Sequence, residues 1–269
     1  MKIAIISDIH SNPNALLDVL EDIKHQKCDR VVCLGDIVGY GYDPNLCIDI
    51  CRDKKIECFM GNHDAGLVGS LSLVWFNSFA SNAIVKQRTI VSEENKDWLR
   101  LLPYSSIERE GYGTPEDKKF KMAFAHGELM SPKEFNYING YSDAALEFSY
   151  IVEDNIRALF VGHTHFANVY TFDMSRQLNE VYVELDDAVD IPLEKWMCCI
   201  VNVGSVGYPR NQPYSIYGIL DTDSRIFRHR ILPFDFDSYE RNMRESDMPI
   251  PLWLQSQKKR AEERRVLFR

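Results

Sequence analysis

The sequence predicts an α/β fold with a second sheet packed on the first, and three features lead to that expectation. Through Met60 the chain repeats one unit: a short β-branched run, a polar turn, then apolar residues at helical spacing. Beyond the middle of the chain strand-like runs dominate, with one clear helix among them. Five of the seven histidines follow such runs closely, each beside a carboxylate, an amide or another histidine.

The elements follow in order. Ile3 to Ile6 is the first strand, and Asn12-Pro13-Asn14 turns the chain into a helix on which Ala15, Leu16, Val19, Leu20 and Ile23 recur. Val31 to Leu34 is the second strand, Asp43 caps a helix from Pro44 to Cys51, and Ile56 to Met60 is the third strand. Strand, helix, strand with short links implies parallel pairing, which lines the carboxyl ends of the strands along one edge, where ligands bind in open sheets. A helical insertion spans about 66–103: Val74, Phe76, Phe79, Ala83 and Ile84 line one helix, and Ser92-Glu93-Glu94 opens another through Trp98, Leu101 and Leu102. A cap over the strand edge and an ordinary packing pair fit this pattern equally well.

Strands are then expected at Lys119–Ala125, Ala158–Val161, Ala167–Phe172, Glu180–Leu185, Met197–Val203 and Tyr214–Asp221, with Arg225–Leu232 pairing back through Thr222-Asp223-Ser224. Ser142–Glu153 is the helix among them. The tail, about 235–269, reads as helical and amphipathic; its charged run around Lys258-Lys259-Arg260 suits a solvated face, or alternatively a contact in a homo-oligomer. Without repeats or a low-complexity linker, residues 1–269 are expected to share one core.

Composition narrows the function. The 269 residues, 45% of them apolar, suffice for a full core, and the net charge of -9 argues against a duplex DNA surface. Small anionic substrates remain open, because bound cations dominate a local field. Seven cysteines, an odd number, point to a reducing compartment. Cys47 and Cys51 have helical spacing, but no second pair follows for a zinc clip, so core thiols are the expectation. The run Ile3-Ala4-Ile5-Ile6 is too short for a signal-peptide core, and no apolar stretch approaches the roughly 20 residues a bilayer requires. A cytoplasmic location with no membrane partner is therefore expected.

The chemistry lies in five motifs: Asp8-Ile9-His10, Gly35-Asp36, Gly61-Asn62-His63-Asp64, Ala125-His126-Gly127 and Gly162-His163-Thr164-His165. Imidazole, carboxylate and amide oxygen without thiolate suit Mn, Fe, Co, Ni, Zn or Mg. A hydrolytic two-metal site needs several ligands per ion, open positions, and a carboxylate shared between the ions. Asp36 suits the shared position, with Asp8, His10 and one distal histidine on one side and Asn62, His126 and the other distal histidine on the other. His25 and His229 read as surface residues, and His126 or His163 taken singly also reads as a satisfied core histidine.

The ordered set resembles the calcineurin-like metallophosphoesterase superfamily over nearly the whole chain. Within it, Ser7-Asp8-Ile9-His10-Ser11-Asn12, Gly35-Asp36-Ile37-Val38-Gly39-Tyr40-Gly41 and Asn202-Val203-Gly204-Ser205-Val206-Gly207 look most like the small bacterial and archaeal phosphodiesterase branch. Ala167-Asn168 departs from the proline many relatives carry beyond the last histidine, without removing a ligand. The resemblance implies two mixed β-sheets packed as a sandwich flanked by helices. It implies two divalent ions, Mn foremost, the first on Asp8, His10, Asp36 and His165 and the second on Asp36, Asn62, His126 and His163. The implied reaction is hydrolysis of a small phosphodiester, phosphomonoester or dinucleoside polyphosphate by a hydroxide held between the ions, with His63 as proton donor and Asp64 orienting it.

Substrate contacts are expected from Asn62 and from the segment Gly204-Ser205-Val206-Gly207-Tyr208-Pro209-Arg210. Small residues there let backbone amides approach an anion, and Arg210 can bind phosphate in bidentate fashion. A tight structural turn is the other reading, and Tyr208 suits either stacking on a nucleobase or packing. The expected partner is a small phosphorylated molecule, nucleotides included. Serine/threonine phosphoprotein phosphatases share the same site and stay open as an alternative, as does a non-catalytic metal-binding scaffold of the same fold. A nuclease of the superfamily fits less well with so acidic a chain.

Overall fold

A computed structural model describes residues 1–110, 120–173, 178–182, 189–210 and 212–267. Local signals start the helices. The Asn12 side chain accepts the Ala15 N–H and Pro13 supplies the first position of α1 (Pro13–His25), while Asp43 and Pro44 do the same for α2 (Pro44–Asp53). These helices follow strands β1 (Lys2–Ile6) and β2 (Arg30–Cys33), and β3 (Glu57–Cys58) completes the parallel unit. Next come α3 (Asn62–Val68), a 3₁₀ turn at Leu73–Trp75, α4 (Ser78–Ile90) and α5 (Glu93–Arg100).

The rest of the chain is mostly strand. It comprises β4 (Ser105–Glu110), β5 (Phe120–Ala125), α6 (Tyr141–Glu153), β6 (Ala158–Val161), β7 (Asn168–Phe172), β8 (Leu178–Tyr182), β9 (Ile191–Pro192) and β10 (Cys198–Asn202). The chain ends with β11 (Tyr214–Asp221), β12 (Ile226–Pro233), α7 (Phe236–Glu245) and α8 (Leu254–Leu267). Two mixed sheets result, in the orders β3-β2-β1-β11-β12-β9 and β4-β5-β6-β10-β7-β8.

The two-residue period of a strand explains the layers. Ile3, Ile5, Val32 and Leu34 point inward and meet Phe124, Phe160, Val201 and Val203 of the other sheet in one dry cluster. Ala4, Ile6 and Cys33 point outward beneath Leu16, Val19 and Ile23 of α1, and Ala123, Leu159 and Ile200 lie under Phe148 and Ile151 of α6. The order of layers is helix, sheet, sheet, helix, as expected for apolar runs buried on both faces.

Several elements differ from the sequence reading. The Gly61-Asn62-His63-Asp64 motif begins a helix rather than a loop, and β3 is shorter than Ile56–Met60. Val74 lies in the 3₁₀ turn, 80% exposed, instead of on the helical core face. Strands β4 and β9 carry no apolar alternation that would announce them: Ser105-Ser106-Ile107-Glu108 is a largely polar edge, and β9 has two residues. The expected strand start at Lys119, the end of the expected strand at residues 183–185 and the tail at 268–269 lie outside the described residues.

His229 is not on the surface. Phe227 and His229 alternate inward on β12 while Arg228 points out, and the His229 Nε2–H donates to the Asn202 carbonyl at 2.7 Å. Burial lowers its pKa to about 4, so it is held as a neutral ring. Among the described residues, the groups able to hold a metal all belong to the Asp/His motifs, so Cys47 and Cys51 serve as buried core thiols. No helix among the described residues is long and apolar enough to cross a membrane.

Candidate metal centre

The carboxyl ends of β1, β2, β5 and β6 meet at one edge of the sandwich, and the turn after each bends sharply to aim a side chain inward. Asp8, His10, Asp36, His163 and His165 all have left-handed backbones, with φ of 55, 47, 54, 65 and 66°. Such conformations cost roughly 1 kcal/mol or more each in a non-glycine residue and persist where the surroundings hold them. Here main-chain bonds do so: Asp8 N–H donates to Gly35 O at 3.0 Å, His10 N–H to Asp36 O at 2.9 Å, and Gly207 N–H to Asp8 O at 3.0 Å. Gly61 matters for its lack of a side chain, since a Cβ there would sit 2.2 Å from both the backbone N and Oδ1 of Asp36.

Four side chains make the first cluster. His10 Nδ1–H donates to Val38 O at 3.0 Å and His165 Nδ1–H to Tyr208 O at 2.7 Å, which leaves the Nε2 lone pairs of both rings facing each other at 3.1 Å. Asp8 Oδ1 lies 3.2 Å from His165 Nε2 and 3.6 Å from His10 Nε2, and Asp36 Oδ2 lies 3.6 Å from His10 Nε2. Asp8 Oδ1 is buried and has no hydrogen-bond partner. Lone pairs and a bare carboxylate oxygen converging without a donor among them repel one another, so the residues fit a cation.

The second cluster shares Asp36. His126 Nε2 lies 3.3 Å from Asp36 Oδ2, 3.2 Å from Asn62 Oδ1 and 3.1 Å from His163 Nδ1. The other oxygen of each carboxylate is fixed by a main-chain donor: Asp36 Oδ1 accepts His63 N–H at 2.8 Å and Asp8 Oδ2 accepts His163 N–H at 3.0 Å. One oxygen per carboxylate is thereby anchored and the other left for a ligand. Separations near 3 Å are what neighbouring donors about 2.1 Å from a common ion would show.

Electrostatics agree with that use. Burial opposes charge on Asp8 and Asp36, yet His165 beside the first and His126 beside the second hold both well below the usual carboxylate range. Burial lowers His163 to about 3 and His165 to about 4, keeping both as neutral donors. His126 goes the other way, up to about 9, because the Asp36 carboxylate outweighs its burial.

The seven expected ligands therefore converge, whereas other expected site residues do not. Asp64 leaves the His63 ring alone: its oxygens accept Gly61 N–H at 3.0 Å and Val38 N–H at 3.1 Å, capping α3, while burial and then the Asp36 charge push it to about 7. Burial also lowers the His63 pKa well below 6.5, against the expected protonated ring. The Gly204 N–H is taken by Asn202 Oδ1, and the buried Ser205 hydroxyl donates to Asp8 O at 2.9 Å, so neither faces a substrate; Ser205 instead positions the Asp8 turn. Tyr208 is buried and stacked on Tyr40 at 4.1 Å, not free for a base. Arg210 reaches the rim of the centre, its Nη2–H donating to the Tyr40 hydroxyl at 3.1 Å.

Some important residues were not singled out from sequence. Gln87 of α4, fully buried, accepts Gly39 N–H at 2.7 Å and donates to Gly41 O at 2.9 Å and Ser11 Oγ at 3.0 Å, which ties the helical insertion to the turns bearing His10 and Asp36. Phe76 meets the His63 ring edge-on at 5.2 Å, and Tyr137 stacks on His163 at 3.7 Å. Their ring partners are distant in sequence: Phe76 is expected on a helical face but lies between the 3₁₀ turn and α4, and Tyr137 stands out only as an aromatic residue.

Glu147 of α6 holds the turn after His126, its Oε1 accepting Leu129 N–H at 2.8 Å while Oε2 is buried without a partner. Burial raises its pKa from 4.5 to about 7, so the folded chain keeps a proton there that the unfolded chain loses. The stability of the protonated form is complete below pH 4.5 and is lost as the pH rises to about 7. Glu147→Gln is expected to leave stability at pH 4.5 nearly unchanged and to raise it at pH 8 by about 1–3 kcal/mol, measured by urea denaturation at both pH values.

Comparison with known proteins accords with this geometry. A family model described as the calcineurin-like phosphoesterase superfamily domain matches residues 1–225. An uncharacterized protein of Methanocaldococcus jannaschii is 33% identical over 260 residues, 94% of this chain and 95% of its own length. The crystal structure of a metallophosphoesterase from Sphaerobacter thermophilus superposes with a TM-score of 0.76 at 30% identity, covering 96% of this chain and 99% of that one. A hypothetical protein from Pyrococcus horikoshii OT3 shares the fold at a TM-score of 0.67 and 15% identity, over 92% of this chain and 94% of its own. This chain belongs to the calcineurin-like phosphoesterase superfamily.

Proposed function

We propose that the protein is a dinuclear metal-dependent phosphoesterase acting on small phosphodiesters, phosphomonoesters or dinucleoside polyphosphates. The observation that carries this reading is Asp36 Oδ2 lying between two clusters of carboxylate, amide and imidazole side chains. Asp8, His10, Asp36 and His165 would hold one ion, and Asp36, Asn62, His126 and His163 the other, with Mn the expected metal. Divalent cations bound there supply neutralisation of the phosphoryl oxygens and an acidified water as nucleophile.

The chain's own residues do the rest. The Arg210 guanidinium lies over the Tyr40 and Tyr208 rings at 5.7 and 5.8 Å, and among the described residues no carboxylate pairs with it within 4.0 Å. Its charge is thus held rigidly and left for phosphate oxygens, and its field reaches His63 and His165. His63 is wedged between Tyr40 at 4.5 Å, His10 at 4.8 Å and Phe76 at 5.2 Å. Held neutral by burial, it acts as an N–H donor to the leaving oxygen rather than as an imidazolium.

The test is hydrolysis of bis-p-nitrophenyl phosphate by chelator-stripped protein before and after Mn is restored. Turnover is expected only with Mn; metal-independent turnover, or Mn-dependent turnover confined to phosphopeptides, sinks the proposed function. In the same assay His63→Ala is expected to lower kcat by about 10²–10⁴-fold with Mn content unchanged. Unaltered kcat, or loss of the metal along with it, removes His63 from the donor role.

A further inference from the structure

Beside the second cluster lies a cleft of about 320 Å³ that the phosphoryl chemistry leaves unexplained. Its floor includes Asn62 and His163, and its walls come from two separate segments: Trp75 and Phe76 from the turn before α4, and Glu134 and Tyr137 from the stretch after His126. The Tyr137 ring stacks on His163 at 3.7 Å with planes 11° apart, which fixes the ring in place. Trp75 is 80% exposed, a large apolar surface left facing water at the mouth of the site.

The lining says what belongs there. Among the described residues it contains no lysine or arginine and has one exposed carboxylate, Glu134, so it repels a second phosphate, a polyphosphate tail or a nucleic-acid backbone. Its aromatic rings favour a flat neutral group, since stacking on such side chains is sequence-tolerant and strong. Glu134 suits the N–H groups on the edge of a heteroaromatic ring. The volume lies at the low end of small-molecule clefts, enough for one nucleoside and too little for a chain.

We infer that this cleft is a base slot: the substrate is a nucleotide-class phosphoester whose nucleobase enters between Trp75 and Tyr137 while its phosphorus sits at the metal centre. The inference rests on the phosphoesterase reading for the position of the phosphorus, but not for the slot itself. It assigns substrate preference to the 3₁₀ turn and to Tyr137, not to Tyr208.

Two esters with one leaving group test it, adenosine 5′-(p-nitrophenyl) phosphate and methyl p-nitrophenyl phosphate, assayed with Mn-loaded protein. The adenosine ester is expected to have a KM at least about tenfold lower, and Trp75→Ala to raise that KM about tenfold while leaving both kcat values and the methyl ester's KM within about twofold. Equal KM values in the wild type, or a Trp75→Ala effect of the same size on both esters, would overturn the slot. If neither ester is hydrolysed, the phosphoesterase reading is what fails, and binding of adenosine to the metal-free protein then decides the slot. Saturable quenching of tryptophan fluorescence that disappears in Trp75→Ala upholds it; no quenching overturns it.

Discussion

Asp36→Asn is expected to lower phosphodiester turnover by about three orders of magnitude or more and to leave the protein with one bound ion at most. The anchored oxygen, Oδ1, keeps its bond from His63 N–H, so the amide nitrogen takes the place of Oδ2. That position lies 3.6 Å from His10 Nε2 and 3.3 Å from His126 Nε2. An N–H₂ group there points donors at both clusters and removes the carboxylate charge that lies between them. A thousandfold loss corresponds to about 4 kcal/mol of barrier, within reach of one lost charge among buried side chains. Metal analysis and steady-state kinetics on the same sample check it; two retained ions with near-native turnover would show that Asp36 is not shared.

Gln87→Leu is expected to destabilise the fold by about 2–4 kcal/mol and to weaken metal binding without touching a ligand. The substitution keeps much of the side-chain volume but leaves Gly39 N–H and Gly41 O without their partner in a fully buried place, and each such orphan costs about 1–3 kcal/mol. In a chain of this size that amounts to a Tm drop on the order of 5–10 °C. The effect travels because Val38 O, one residue before Gly39, accepts the His10 Nδ1–H that fixes the ring's tautomer. Calorimetry with a Mn titration would check both parts, and a variant with native Tm would show the insertion to be mere packing.

The centre was more legible than its supports for a physical reason. Asp8, Asp36, Asn62, His126, His163 and His165 each stand just past a strand-like run, and parallel pairing brings such strand ends together, so periodicity plus residue type suffices to gather them. What holds them does not repeat. Gln87 looks like any polar residue on an amphipathic helix, because its partners, two backbone groups and the Ser11 hydroxyl, lie more than forty residues away. Ser205 reads as a phosphate contact in a glycine-bearing turn, yet its hydroxyl is spent on Asp8 O, and only three-dimensional structure shows that use.

Asp64 and His229 carry a different lesson. The spacing Gly61-Asn62-His63-Asp64 contains a helix-start signal, an acidic residue at the third position, and the structure uses Asp64 that way, so reading it as the partner of His63 overlooked the stronger local rule. At β12 the arginines on either side drew attention to charge, while the inward alternation of Phe227 and His229 was the better guide to burial. Strand β4 pairs with its neighbour β5 but is too polar to announce itself, while the two-residue β9 depends on β12, more than thirty residues further along the chain.

Turnover should depend on how many ions each chain holds. Stripped protein titrated with Mn, with bound ion and bis-p-nitrophenyl phosphate hydrolysis read on the same samples, should show little turnover up to one ion per chain and a rise to a plateau at two. A plateau reached at one ion, or full turnover with none, would contradict a centre built on two ions that share Asp36.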